Sequence, residues 1–197
     1  MLESLRERFD APLRSGLEPL VQWLAERQVT PNQVTLAALG LSVLAALCIG
    51  AGWLRLGALV LIVAGLGDLV DGMLARATDQ ASPFGAFFDS TLDRLSEGTV
   101  LAAVAYRFAS DGRPLLVALV ALALLGSLLV SYVRARAEAL DIDCKIGLMS
   151  RAERMVLLIA GLLLGLLGPA VVLLAVLTLY TVGQRVQRVH AALTSDD

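Results

Sequence analysis

Apolar residues run almost unbroken through six stretches of this chain, about 33–52, 56–76, 84–108, 114–133, 152–168 and 170–190, with short polar segments between them. Crossing the hydrocarbon core as a helix takes roughly 20 apolar residues. The pattern therefore predicts an all-α integral membrane protein with six transmembrane helices. The first 27 residues read differently: Leu2, Leu5, Phe9, Leu13, Leu17, Leu20 and Leu24 recur three or four apart with Arg and Glu between them, and Pro12 is expected to break the run. That is the pattern of an N-terminal amphipathic helix lying in the headgroup plane. The chain divides into a juxtamembrane segment (1–29), one six-helix domain (30–190) and a polar tail (191–197), with no internal repeat.

Composition agrees with the pattern: 57% of the 197 residues are hydrophobic and the mean hydropathy is +0.76. A net charge of −2 gives no case for nucleic acid as a partner. The N-terminus lacks the apolar core and cleavage site of a secretory signal, so insertion is expected to rely on the internal spans. Twelve Lys and Arg residues fall on one face of the six-span topology, including Arg6, Arg27, Arg136, Lys145 and Arg188, against Arg55, Arg107 and Arg113 on the other. The excess of cations in cytoplasmic loops predicts a multi-pass protein of the cell membrane with both termini and the 76–83 and 134–154 loops in the cytoplasm. Trp23 and Trp53 then fall near opposite surfaces as interfacial anchors. Cys48 and Cys144 lack zinc spacing and a shared environment and are read as free, and the single histidine, His190, is assigned to the surface.

The third stretch is the awkward one, because FGAFFDSTLDRLSEGTVLAAVAYRF carries Asp89, Asp93, Arg94 and Glu97. A charge at the bilayer centre costs several kcal/mol, so such residues ordinarily face a partner or a cavity. Asp68 and Asp71 are one helical turn apart, and so are Asp89 and Asp93. Counted at ~1.5 Å per residue from the cytoplasmic ends of neighbouring helices, the two pairs lie at matching depths of ~7 and ~12–13 Å. Four carboxylates so close would repel unless neutralised, and a hard divalent cation with oxygen ligands, Mg²⁺ or Mn²⁺, is the usual solution. Gly72, Ala75 and Gly85 stand beside the acids, leaving room for something bulky and anionic. The plainer reading, ion pairs with Arg76 and Arg94 that merely hold two spans together, accounts less well for four acids in register with three small residues.

The spacing Asp68-x2-Asp71-Gly72-x2-Ala75-Arg76-x8-Gly85-x3-Asp89-x3-Asp93 resembles, without gap or substitution, the motif of the CDP-alcohol phosphotransferases. Thr30-Pro31-Asn32-Gln33-Val34-Thr35 is similar to that family's element near the nucleotide. The resemblance covers about residues 30–190. It implies a membrane enzyme that transfers a phosphatidyl group from CDP-diacylglycerol to an alcohol and releases CMP. It further implies that Asp68, Asp71, Asp89 and Asp93 hold two Mg²⁺ or Mn²⁺ ions, that Asp93 is the general base, and that Pro31, Asn32, Thr35, Gly72, Ala75, Arg76 and Gly85 line the site of the CDP-lipid. Family members are commonly homodimers, and a homodimer is expected here.

The acceptor is read from the loop that places five of the sixteen basic residues within 21 positions. Arg134 and Arg154 bracket it, and Arg185 approaches from the last span. Three guanidinium groups beside the acids suit a second phosphate, so a phosphorylated polyol is expected. Ser-Tyr-x-Arg-Ala-Arg-Ala-Glu followed by Arg-Ala-Glu-Arg resembles the branch of the family that uses inositol 1-phosphate, with Arg134 standing where lysine is common in that branch. Glycerol 3-phosphate is the rival acceptor, and a membrane ion or metal transporter is the alternative of a different class. Glu97 either pairs with Arg94 or lines the acceptor cavity.

Overall fold

Helix boundaries fall where the sequence supplies caps. The structure, a computed structural model, describes the backbone of residues 2–194 and the side chains of 12–194. The side chains of Leu2, Leu5, Arg6 and Phe9, and tail residues 195–197, lie outside the described residues. Those described form seven helices: α1 (Leu2–Glu26), α2 (Pro31–Gly50), α3 (Leu54–Ala77), α4 (Pro83–Ser110), α5 (Pro114–Glu138), α6 (Arg151–Leu164) and α7 (Leu167–Thr194). Thr30 and Gln33 cap α2 reciprocally: Gln33 N–H donates to Thr30 Oγ1 and Thr30 N–H donates to Gln33 Oε1, with Pro31 in the first turn. Ser82 caps α4 by accepting from Gly85 N–H at 3.0 Å. Gly165, at φ 72°, ends α6 in the left-handed conformation that glycine adopts without a Cβ penalty.

Four helices, α2, α3, α5 and α7, are long and apolar enough to cross a membrane, not the expected six. The two that fall short do so for different reasons. Helix α6 has 14 residues, ending at Leu164 where a span to 168 was expected, and at ~1.5 Å per residue it is about 21 Å long against a hydrocarbon core of about 30 Å. Helix α4 has 28 residues, ample in length, but its first half carries Asp89, Asp93, Arg94 and Glu97. The protein is nevertheless a multi-pass membrane protein, and its lipid-facing sides are lined with exposed leucine and valine such as Leu47, Leu59, Leu115, Val156 and Leu173.

Helix α2 packs along both α3 and α4, α5 along α7, and α6 against α3 and α7. The main core joins Ala45 and Ile49 of α2, Ala58 and Leu61 of α3, Val100 and Val104 of α4, and Val171 and Leu174 of α7. Small residues set the closest approaches. A Cβ on Gly57 would lie 2.6 Å from Ile49 Cγ1, and one on Gly126 would lie 2.2 Å from Thr178 Oγ1.

The N-terminal helix differs in detail from its expected form. It continues through both Pro12 and Pro19. Its packed face is Leu17, Val21, Leu24 and Ala25, set against Val70 and Leu74 of α3, while Leu13 and Leu20 are exposed. Trp23 is exposed beneath the guanidinium of Arg27, 4.3 Å from the ring centroid, and Trp53 is exposed at the turn between α2 and α3. At the other end α7 runs to Thr194, past the point where the polar tail was expected to begin. Both cysteines are free and buried, and His190 is exposed.

Gly126→Ala forces a methyl group into Thr178 between two packed helices. It should lower unfolding stability in detergent by ~1–3 kcal/mol, and a thermal transition equal to wild type would show that this contact is not tight.

Candidate functional site

The acid-bearing helices are not direct neighbours. Among the described residues α3 and α4 make no extensive contact with each other, and α2 lies against both. The two aspartate pairs face each other across a gap between α3 and α4. Two side chains from other helices reach into it. Thr35 of α2 donates its hydroxyl hydrogen bond to Asp71 Oδ2 at 2.7 Å, and this carboxyl is buried. Arg151, the first residue of α6, donates from Nη1 to Asp68 Oδ2 at 2.6 Å and places Nη2 2.8 Å from Asp93 Oδ1. Burial opposes the charge on Arg151, but Asp68 and Asp93 outweigh it and hold the guanidinium above its ordinary pKa.

The gap opens into a cavity of about 490 Å³. Its walls come from the N-terminus of α2, the C-terminal turns of α3 and the start of α4. All seven residues assigned to the CDP-lipid line it: Pro31, Asn32 and Thr35, then Gly72, Ala75 and Arg76, then Gly85. Asp71 and Asp89 line the same cavity. The Arg76 guanidinium lies over Gly72, 3.6 Å from where a Cβ would be, and a Cβ on Gly85 would lie 3.2 Å from Ser82 Oγ and intrude on the cap of α4. Asp68 and Asp93 belong to the opposite side of the gap, a narrow crevice shared with Leu39, Leu92, Ser96 and Arg151.

The donor chemistry fits a hard divalent cation: four carboxylates from two helices, with Arg151 engaging one oxygen each of Asp68 and Asp93 and Thr35 one of Asp71. As the side chains stand, no three acidic, histidine or cysteine groups among the described residues are drawn together around a single point. The four carboxylates are gathered at the gap without converging on a single point.

The three arginines assigned to the acceptor are distributed unevenly. Arg154 is only 2% exposed, and its Nε and Nη2 donate to the two oxygens of Glu97, each at 2.6 Å, while Nη1 donates to Met149 O. Arg185 is buried and donates to the main-chain carbonyls of Ile146 (2.9 Å) and Val130. Arg134 is 46% exposed and pairs with Glu138 one turn on in α5. The three are close enough for Arg185 to feel the charges of the other two, but their forks do not converge on one point. Glu97 is thus the partner of Arg154 and not of Arg94, whose Nη1 donates to Ser90 O.

Sequence reasoning passed over Arg151, which among the described residues is the arginine in direct contact with Asp68 and Asp93. Its signal was present: in RAER, Arg151 and Arg154 share a helix face, as Asp93 and Glu97 do on α4. Matching the two faces would have paired them.

This is a helical membrane bundle with an acid-lined cavity open at one end, the architecture of an enzyme that works on a lipid-borne anionic substrate. The family model for CDP-alcohol phosphatidyltransferase matches residues 28–182, and the chain belongs to that family. It is 36% identical over 189 residues to the archaetidylinositol phosphate synthase of Methanothermobacter thermautotrophicus, covering 93% of each chain. It is also similar to the Mycobacterium tuberculosis phosphatidylinositol phosphate synthase at 32% identity. The crystal structure of that enzyme with CDP-DAG bound aligns with a TM-score of 0.81 over 87% of this chain and 92% of that one. The structure in complex with manganese and citrate gives 0.82 over 87% of each.

Arg154→Ala leaves Glu97 buried without its counter-charge and should cost roughly 3–5 kcal/mol of unfolding stability. Glu97→Gln combined with Arg154→Met should recover most of that loss in a thermal melt. A single variant as stable as wild type would mean that the pair contributes nothing to docking α6.

Proposed function

We propose that this enzyme transfers the phosphatidyl group of CDP-diacylglycerol to the hydroxyl of a phosphorylated polyol, with inositol 1-phosphate as the acceptor, releasing CMP and forming phosphatidylinositol phosphate. The observation that carries the reading is the single cavity lined at once by Asp71, Asp89 and all seven residues assigned to the CDP-lipid. The relatives support the acceptor: a phosphatidylinositol phosphate synthase seen with CDP-DAG and with manganese, and an archaetidylinositol phosphate synthase.

In this reading the cytidine diphosphate enters between the N-terminus of α2 and the start of α4. Gly72 and Gly85 present no side chain to it, and Arg76 supplies a fork for phosphate oxygens. Asp68, Asp71, Asp89 and Asp93 hold two Mg²⁺ or Mn²⁺ ions, which when bound neutralise the pyrophosphate and the charge that builds on the leaving CMP. Asp93 stands on the α6 side of the gap, away from the nucleotide cavity. There it accepts the proton of the acceptor hydroxyl as that oxygen attacks the phosphorus nearer the lipid and the bond to the CMP oxygen breaks.

The basic cluster beyond Asp93 suits the acceptor phosphate. Arg134 is the accessible member, while Arg154 and Arg185 supply field and shape from buried positions. Because Arg154 is already satisfied by Glu97, its share is electrostatic and positional and not a free fork. The Lys and Arg asymmetry of the sequence turns the acid-bearing end toward the cytoplasm, where a soluble phosphorylated acceptor is supplied. Pairing of two copies belongs to the same reading and rests on the family resemblance.

Purified protein incubated with CDP-diacylglycerol and Mg²⁺ or Mn²⁺ should release CMP with inositol 1-phosphate and not with inositol. Release with glycerol 3-phosphate alone would keep the chemistry and move the acceptor assignment to the phosphatidylglycerophosphate branch. Asp93→Asn should lower kcat by at least ~100-fold while leaving CDP-diacylglycerol binding intact, and a variant retaining most of its rate would remove Asp93 as the base. Asp71→Asn should weaken Mn²⁺ binding, measured by electron paramagnetic resonance, by more than ~10-fold.

A further inference from the structure

We propose that Arg151 is a positioning residue of the metal site, its guanidinium fork clamping Asp68 of α3 to Asp93 of α4 at the separation a divalent ion requires. The inference rests on the reading of these aspartates as metal ligands.

The need for a clamp follows from the helix arrangement. Helices α3 and α4 do not pack extensively on each other, so direct contact does not fix the spacing of their acids. Thr35 holds Asp71 from α2. Asp68 and Asp93, on the other side of the gap, are joined through Arg151. The closest approaches of the fork are to Oδ2 of Asp68 and Oδ1 of Asp93, one oxygen of each carboxylate. The guanidinium approaches from the crevice beside Leu92 and Ser96 and leaves the nucleotide cavity clear.

Arg151 is itself held. It is the first residue of α6, directly after the N-cap Ser150, and one turn on Arg154 is locked to Glu97. Asp93–Arg151 and Glu97–Arg154 are two rungs of one ladder between α4 and α6, matching i, i+4 on the first helix to i, i+3 on the second. The buried Nε of Arg151 has no hydrogen-bond partner. An orphaned buried donor is costly, so the carboxylates, and not the fullest satisfaction of the arginine, dictate where the fork sits. A lysine carries the same charge as a point and cannot present two parallel donors from a rigid plane.

Arg151→Lys therefore keeps the repulsion felt by a metal ion and removes the fork, so that a change in affinity reports geometry. Mn²⁺ titrated into the full-length detergent-solubilised protein, followed by electron paramagnetic resonance, should show a Kd raised about 10- to 100-fold in Arg151→Lys, the range for loss of groups that orient metal ligands. An unchanged or tighter Kd overturns the clamp. A second measurement needs no variant: hydrogen exchange across residues 141–155 of the wild type should stay as slow or become slower when Mn²⁺ binds. Faster exchange would show Arg151 leaving as the ion enters and would overturn the proposal. Asp71→Asn separates the two layers of inference. If it leaves Mn²⁺ binding intact, the metal-ligand reading fails and the clamp with it. If Asp71→Asn loses Mn²⁺ while Arg151→Lys binds it like wild type, the clamp alone is wrong.

Discussion

The rest of the structure depends on how four carboxylates are neutralised at the gap between two helices that do not pack extensively on each other. In a low-dielectric bundle an uncompensated acid is too costly to keep; Arg94 of α4 supplies part of the compensation through space, and the rest is made by direct contact. It comes from a hydroxyl on α2 and a guanidinium on α6. This places α2 against both acid-bearing helices and brings the start of α6 level with Asp68 and Asp93. The cavity is the space left over, since helices packed face to face at this point would have no room for a nucleotide.

The shortness of α6 has the same origin. A helix whose first residue must lie level with the aspartates starts well inside the bundle, and it runs only 14 residues before Gly165 ends it. The charges that remove α4 from the apolar spans are the ones that pair with α6: Asp93 with Arg151, and Glu97 with Arg154. Hydropathy scored residue by residue counts each of these four as a penalty. The folded protein meets them as two ion pairs.

The helices and the residues that line the cavity were legible in the sequence, the number of membrane spans and the pairings between helices were not, and what divides the two is whether the information lies within one helix or between two. Helix ends came out within a few residues wherever Thr30, Ser82, Pro114 or Gly165 marked them. Gly72, Ala75, Arg76 and Gly85, which share the cavity, came from an uninterrupted motif spanning a single turn between helices, where spacing nearly determines position, and Pro31, Asn32 and Thr35 came from a separate element at the start of α2. The partners of Arg154 and Arg185 lie 57 and 39 residues away, and nothing local distinguished a fork free for a ligand from one already committed to Glu97 or to Ile146 O. The stripe on α1 failed more subtly. Leucines three or four apart drift around a helix, and the face that packs is centred on Val21, which a search for leucine passes over.

The two sides of the acid cluster make different physical demands on their ligands. The cavity side is roomy and lined by glycine, alanine and the ends of two capped helices, so little side-chain bulk stands between a ligand and the backbone there. The α6 side is crowded, and its deepest arginines are already bonded to protein atoms. In the proposed reading a phosphate arriving there would meet a positive field already desolvated and oriented during folding, with little ordering left to oppose binding. Guanidinium groups fixed in this way cannot follow a ligand of another shape. In the proposed reading, discrimination among acceptors rests on where that field is aimed, and the Glu97–Arg154 pair, which ties α6 to α4, holds it in place.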